Sequence, residues 1–109
     1  MKPNKPNILK WVKALESGDF RQTIGQLRKN GDYCCLGVAC SISRLRGWKG
    51  TDAQLPQKVA DWLGLSANPC LGNFNYKPIF AAEANDAQNW DFIKIASKLR
   101  KRYLSKKVK

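Results

Sequence analysis

The stretch YCCLGVAC, residues 33–40, is the most unusual string in the chain and the point from which its fold can be worked out. From Cys35 onward, apolar residues recur at helical spacing until Gly47. Gly37 lies inside this pattern, where a glycine costs about 1 kcal/mol relative to alanine. We therefore expect a helix that packs closely against a neighbouring backbone at Gly37.

Three further segments have apolar residues at helical spacing. They are residues 8–16, which Pro6 and Asn7 open; residues 55–63, which begin at a Leu-Pro pair and end at Gly64 as a left-handed cap; and residues 90–104, with Asn89 as N-cap. Their apolar faces supply the expected core: Ile8, Trp11, Val12, Leu15, Val59, Trp62, Leu63, Phe92, Ile95, Ala96, Leu99 and Tyr103.

The segments between these helices are rich in turn signals. Asn30-Gly31-Asp32 predicts a tight turn, residues 20–28 fit a short strand or an irregular loop, and residues 65–78 read as an extended connection with a short strand. The predicted fold class is α+β, mostly helical, with about four helices and one or two short strands. One globular domain is expected over residues 7–104, after a flexible leader (1–6) and before a basic tail (105–109).

Composition excludes several classes of protein. A chain of 109 residues is long enough for one hydrophobic core but not for two. The sequence contains no histidine, which removes Ser/His and Cys/His nucleophile pairs and histidine-containing zinc sites. No apolar run approaches the roughly 18 residues needed to span a bilayer, and the N-terminus lacks the apolar segment of a secretion signal. We expect a cytoplasmic protein with no membrane partner.

The four cysteines, Cys34, Cys35, Cys40 and Cys70, allow three interpretations. Their spacing is not that of a zinc knuckle, and a reactive thiol would need Arg28, Lys29 or a helix N-terminus to lower its pKa. Free thiols that pack as small core residues are the favoured interpretation. The sequence therefore predicts no metal, no cofactor and no enzymatic activity.

The net charge of +12 makes polyanions the natural partners. Eight of the twenty basic residues lie in the last sixteen positions, where a helix would present a row of cations opposite its apolar face. The predicted nucleic-acid-binding residues are Lys94, Lys98, Arg100, Lys101, Arg102, Lys106 and Lys107, extended by Arg44, Arg46 and Lys49 if the fold brings them near. A merely solvated charge run is an equally open interpretation, and a membrane-surface helix is a weaker one.

A second candidate site combines the polar residues Gln22, Arg28, Asn85 and Asp86, with Gly25 allowing close backbone approach. If they converge, they would form a pocket for a small anion or nucleotide. The alternative, in which Gln22 and Asn85 cap turns, is favoured because polar turn residues do this more often than they bind ligands.

The YCCLGVAC stretch also carries a resemblance. Together with ALESG at residues 14–18, Leu55-Pro56, WLGL at 62–65, Asn85-Asp86 and FIKIA at 92–96, it resembles a group of small phage and prophage proteins over about residues 8–100. The resemblance implies a bacteriophage accessory protein in the cytoplasm of a bacterial host and transfers no catalytic residue. Two functions follow as expectations: nucleic-acid binding through the basic C-terminal helix and tail, or counter-defence, of anti-CRISPR or anti-restriction type, by binding a nucleic-acid-bound host complex or sequestering a nucleotide signal. The oligomeric state stays open.

Overall fold

The computed structural model describes residues 2–74 and 76–105. Within these residues the chain forms five α-helices: α1 (Lys5–Glu16), α2 (Cys35–Ser43), α3 (Gln57–Leu63), α4 (Ala81–Asp86) and α5 (Phe92–Leu99), which continues as a π-helical turn (Arg100–Leu104). Two antiparallel hairpins complete it: β1 (Arg28–Lys29) with β2 (Asp32–Tyr33), and β3 (Cys70–Phe74) with β4 (Lys77–Phe80). The predicted class, α+β and mostly helical, is confirmed.

Helix α1 is the centre of the packing. It contacts α2, α3, α5 and the π-helical turn, and its four predicted core residues, Ile8, Trp11, Val12 and Leu15, are all buried. The indole N–H of Trp11 donates a 2.8 Å hydrogen bond to the carbonyl of Cys35, so the largest buried side chain also joins α1 to α2. This bond satisfies a polar group that would otherwise be costly to bury.

Gly37 makes the close backbone approach that its position in a helix predicts. A Cβ at Gly37 would overlap the carbonyl group of Leu27, whose oxygen also accepts a 3.1 Å hydrogen bond from the N–H of Cys34. On the other side, the N–H of Leu27 donates to the carbonyl of Asp52 at 2.7 Å. The missing side chain of Gly37 thus lets the segment before β1 lie directly on α2.

The first two helices have boundaries that differ from the sequence-based expectation. Helix α1 begins at Lys5, inside the expected leader, because the Asn4 side chain accepts from the N–H of Asn7 at 3.1 Å and the Asn4 N–H donates to the Leu63 carbonyl at 2.8 Å. Helix α2 ends at Ser43 rather than near Gly47. The Ser43 hydroxyl donates to the Cys40 carbonyl at 2.8 Å and accepts from the Leu45 N–H at 3.1 Å. These two bonds take the place of the backbone hydrogen bonds that would continue the helix.

Two further differences lie near the C-terminus. Asn89 is not the N-cap of the last helix: it has a positive φ of 55°, and Asp91 caps α5 by accepting a 2.8 Å bond from the N–H of Lys94. Helix α4, which the sequence pattern did not indicate, is only six residues long and follows β4 directly. Its first turn is held by the Asn68 side chain, which accepts from the N–H of Ala82 at 2.9 Å.

The contact between Gly37 and Leu27 predicts the effect of adding one methyl group. Gly37→Ala would gain about 1 kcal/mol of helix propensity, yet we expect it to lower the free energy of unfolding by about 1–3 kcal/mol because the Cβ overpacks against backbone. Urea unfolding followed by far-UV circular dichroism measures the difference. An alanine variant as stable as the parent would show that this contact does not constrain the fold.

Candidate nucleic-acid interface

A cleft of about 530 Å³ opens between the C-terminal helix and the second hairpin. The hairpin wall is formed by Leu71, Gly72, Asn73 and Ile79. The helix wall is formed by Trp90, Lys98, Lys101, Arg102 and Tyr103. The lining therefore combines three cations with apolar and aromatic groups, and it includes no aspartate or glutamate. We call this site the basic cleft.

The amphipathic sequence of α5 places the cations at this site. Phe92, Ile95 and Leu99 are buried, while Lys98 is half-buried and two cations beyond the end of α5, Lys101 and Arg102, are exposed. Beyond Leu99 the helix widens into the π-helical turn, which ends with a 2.8 Å bond from the Ser105 N–H to the Arg100 carbonyl. π-helical turns are rare and are frequent at functional sites.

Aromatic side chains connect the two walls. The Tyr103 hydroxyl donates a 2.7 Å hydrogen bond to the carbonyl of Cys70, which ties the π-helical turn to β3. The ammonium groups of Lys94 and Lys98 lie 4.4 and 5.9 Å from the centre of the Trp90 ring, within the range of cation–π attraction. Trp90 itself is mostly buried. These contacts hold the lysines beside the cleft.

The predicted C-terminal binding residues divide into three groups. Lys98, Lys101 and Arg102 line the cleft, and Lys94 lies next to it over Trp90. Arg100 instead faces α1, where its Nε and Nη2 donate to the two carboxylate oxygens of Glu16 at 2.8 and 2.7 Å. Lys106 and Lys107 lie outside the described residues.

The structure does not join Arg44, Arg46 and Lys49 to the cleft. Arg44 has a positive φ of 60° as the C-cap of α2, and the Arg46 carbonyl accepts from the ammonium group of Lys58 in α3. Lys49 precedes Gly50, whose carbonyl pairs with β1 through the N–H of Arg28. Neither α3 nor β1 is among the main packing partners of α5. These three cations therefore belong to a separate part of the surface.

Three residues of the second candidate site, Gln22, Asn85 and Asp86, lie together, but around the buried side chain of Asn85. The Asn85 side chain is fully buried and makes four hydrogen bonds: it accepts from Gln22 Nε2 (2.8 Å) and the Cys35 N–H (3.1 Å), and it donates to the Thr23 carbonyl and to Asp86 Oδ1 (both 2.8 Å). Gln22 Nε2 also donates to the Trp90 carbonyl at 2.8 Å. All the hydrogen-bonding groups of the Asn85 amide therefore have partners within the protein, as expected for a structural residue rather than a ligand-binding one.

The fourth member, Arg28, lies elsewhere. Its guanidinium is 5.5 Å from the centre of the Trp48 ring. The cation expected to pair with an anion, Arg28, is therefore not part of the Asn85 network. The network has the character of a buried structural element rather than a ligand site.

The cysteines behave as core residues. All four are free thiols; Cys34, Cys35 and Cys40 are buried and Cys70 is half-buried, as expected. Burial raises the pKa of the Cys34 and Cys35 thiols and raises that of Cys40 to about 12. The three buried thiols therefore stay protonated near neutral pH, which is unfavourable for a nucleophile. No cluster of three or more metal-binding side chains occurs in residues 2–74 and 76–105.

The short strand expected within residues 65–78 is present as β3, but the sequence did not indicate its pairing with β4 or the contacts of Trp90 and Tyr103. Gly72 and Asn73 appeared as a turn signal, and Trp90 had no assigned role, although an aromatic residue next to a basic amphipathic helix is itself a signal for nucleic-acid contact. The hairpin of the opposing wall pairs locally, but its packing against the last helix, as in the bond from Tyr103 to Cys70, joins distant segments that no local pattern connects. Within the described part of the chain, no helix has the length and apolar character needed to cross a membrane.

The chain belongs to the family described as a domain of unknown function (DUF8296), whose model matches residues 4–103. Among the described residues, the match covers the five α-helices, both hairpins and all the residues that line the basic cleft. No curated protein and no solved structure matches the chain.

The Asn85 network predicts a large loss of stability on truncation. Asn85→Ala would leave the Cys35 N–H and the Thr23 carbonyl without their partner, and each unsatisfied buried group costs about 1–3 kcal/mol. We expect a total loss of about 2–6 kcal/mol in urea unfolding. Asn7→Ala, which removes a single bond to the Trp62 carbonyl, is the matched control and should cost about 1 kcal/mol. Equal effects of the two substitutions would contradict a central role for Asn85.

The ion pair between Glu16 and Arg100 predicts a pH-dependent contribution to stability. The hydrogen bonds from Arg100 hold the pKa of the Glu16 carboxyl below its ordinary value, so the pair stabilises the fold above that value, and the contribution disappears as pH falls through the lowered pKa. Parent and Glu16→Gln should therefore differ in thermal midpoint at neutral pH and converge in acid. Asp19→Asn removes a carboxylate outside the pair and serves as control. A difference between parent and Glu16→Gln that persists unchanged in acid would contradict this role.

Proposed function

We propose that this member of the DUF8296 family is a nucleic-acid-binding protein and that the basic cleft is its contact surface. The observation that carries the proposal is the convergence of Lys98, Lys101 and Arg102 on one cavity whose lining has no acidic side chain. Cations clustered in this way neutralise phosphates and release counterions, which drives binding to any nucleic acid. Lys94 extends the row along α5.

Two of the cleft cations contact aromatic rings rather than carboxylates: Lys98 lies 5.9 Å from the Trp90 ring centre and the Arg102 guanidinium 5.7 Å from that of Tyr103. Within residues 2–74 and 76–105, the ion pairs join Arg100 to Glu16 and Arg21 to Asp32, and neither involves a cation that lines the cleft. A ligand phosphate would therefore replace water rather than break an existing ion pair. Arg100, by contrast, serves the attachment of the helix to α1 and is excluded from the proposed surface.

The expected mode of binding is dominated by phosphate contacts and depends little on sequence. Together with the resemblance to small phage and prophage proteins, it supports an accessory role on nucleic acid in the cytoplasm of a bacterial host. The proposal is one of binding without catalysis, since the buried thiols have raised pKa values and the cleft lining offers no carboxylate.

Removing two cleft cations should weaken binding in a way that depends on salt. Lys101→Gln/Arg102→Gln deletes two exposed charges from the cleft, so the slope of log affinity against log salt should become shallower by about two. The parent should lose at least about tenfold in affinity between about 50 and 200 mM salt. Fluorescence anisotropy with labelled duplex DNA and single-stranded RNA measures both quantities.

The matched control is Lys29→Gln/Lys49→Gln, which removes the same charge from exposed positions away from the cleft. It should leave the salt slope close to that of the parent. Equal loss in both double variants would show that net charge rather than the cleft controls binding. Absence of binding even at low salt would overturn the proposal and favour a host protein as the partner.

A further inference from the structure

We infer that the basic cleft accepts an unpaired nucleotide of a single-stranded nucleic acid, with the base inside the cleft and the adjoining phosphates on its basic rim. The inference rests on the proposed function and specifies its substrate class. Its basis is the mixed chemistry of the cleft, since binding to phosphates alone would need only cations, whereas this lining also contains apolar and aromatic side chains.

The interior of the cleft suits a planar apolar group. Leu71 and Ile79 from the hairpin and Trp90 on the helix side are nearly buried and form an apolar floor. Tyr103 is half-buried and lines the opposite wall, so its ring is the aromatic surface offered to a base. Proteins that bind single strands combine this type of aromatic surface with a positively charged groove, and the bases stack on the aromatic groups. In a duplex the bases are already stacked and paired, so they are not free to enter such a space.

The cations are arranged so that phosphates would remain at the mouth. Lys98, Lys101 and Arg102 follow one another at i, i+3 and i+4, a spacing that puts side chains on one side of a helix. The first is half-buried and the other two are exposed, so the positive charge extends from the edge of the cleft outward. A backbone crossing the mouth would meet these cations in succession while one base points inward.

The cleft is fixed by the fold itself. The strand pairing is interrupted by a bulge between Cys70 and Gly72, and Gly72 has a φ of 125°, a conformation that favours glycine. The bond from the Tyr103 hydroxyl to the Cys70 carbonyl then holds the helix wall against the hairpin wall. A volume of about 530 Å³ lies within the range of small-ligand sites, which leaves space for one base.

The decisive experiment varies the ligand rather than the protein. Labelled oligothymidine is compared with an abasic strand of equal length, which has the same phosphates and no bases, and with a duplex of equal phosphate number. We expect oligothymidine to bind about tenfold more tightly than the abasic strand, the amount that stacking of a base on aromatic groups supplies. Oligouridine should show the same preference, and thymidine monophosphate should compete only weakly.

A protein variant pair locates the effect in the cleft. Tyr103→Leu removes the ring and should bring the ratio between oligothymidine and abasic strand close to one. Tyr103→Phe keeps the ring and loses only the hydroxyl, so it should retain most of the ratio. Thermal unfolding of both variants, followed by circular dichroism, establishes that they fold.

The possible results separate this inference from the proposed function. Equal affinity for the abasic strand and oligothymidine, with binding that still weakens in salt, would overturn the unpaired-base inference and leave phosphate binding intact. Failure of every nucleic acid to bind would overturn both. A mononucleotide that binds as tightly as the strand would overturn the assignment to a polymer and identify a free nucleotide as the ligand.

Discussion

The buried amide of Asn85 is the interaction on which the arrangement of the other parts depends. Its four hydrogen bonds join the start of α2, the segment around Thr23 and the end of α4. Because Gln22 donates both to Asn85 and to the Trp90 carbonyl, the same network fixes Trp90, two residues before α5. Buried polar networks of this type are stabilising only when every group is satisfied. Here one network links the helical core to Trp90, which lines the cleft.

The C-terminal cations have two distinct physical roles. Arg100 forms a bidentate pair with Glu16 and fastens the helix end to α1, whereas Lys98, Lys101 and Arg102 face the space between helix and hairpin. A planar guanidinium suits the first role because it matches both carboxylate oxygens at once. The basic run is therefore not uniform: Arg100 is used for attachment, and the cations that line the cleft form no ion pair within residues 2–74 and 76–105.

Much of the helical core was predictable from the sequence, since it depends on local periodicity. The buried residues of α1 and α5 are those that the spacing of apolar positions indicates, and the contact at Gly37 follows from a glycine inside an otherwise good helix. Helix ends were less predictable, because Asp91 rather than Asn89 caps α5 and the Ser43 hydroxyl ends α2 early. Each depends on which of several similar side chains reaches the free backbone groups.

Only one of the two walls of the candidate site was predictable from the sequence. The basic residues of the last helix are evident from charge. The hairpin that forms the other wall is local in sequence, but its packing against the helix, through the bond from Tyr103 to Cys70, joins residues more than thirty positions apart. By itself, the sequence determined the helical class, the buried faces and the sign of the charge, because these follow from local spacing and composition. Only the tertiary structure decided that Asn85 is a structural hub, that Arg100 is paired and that three cations share a cleft, because each results from contacts between distant segments that local pattern does not encode.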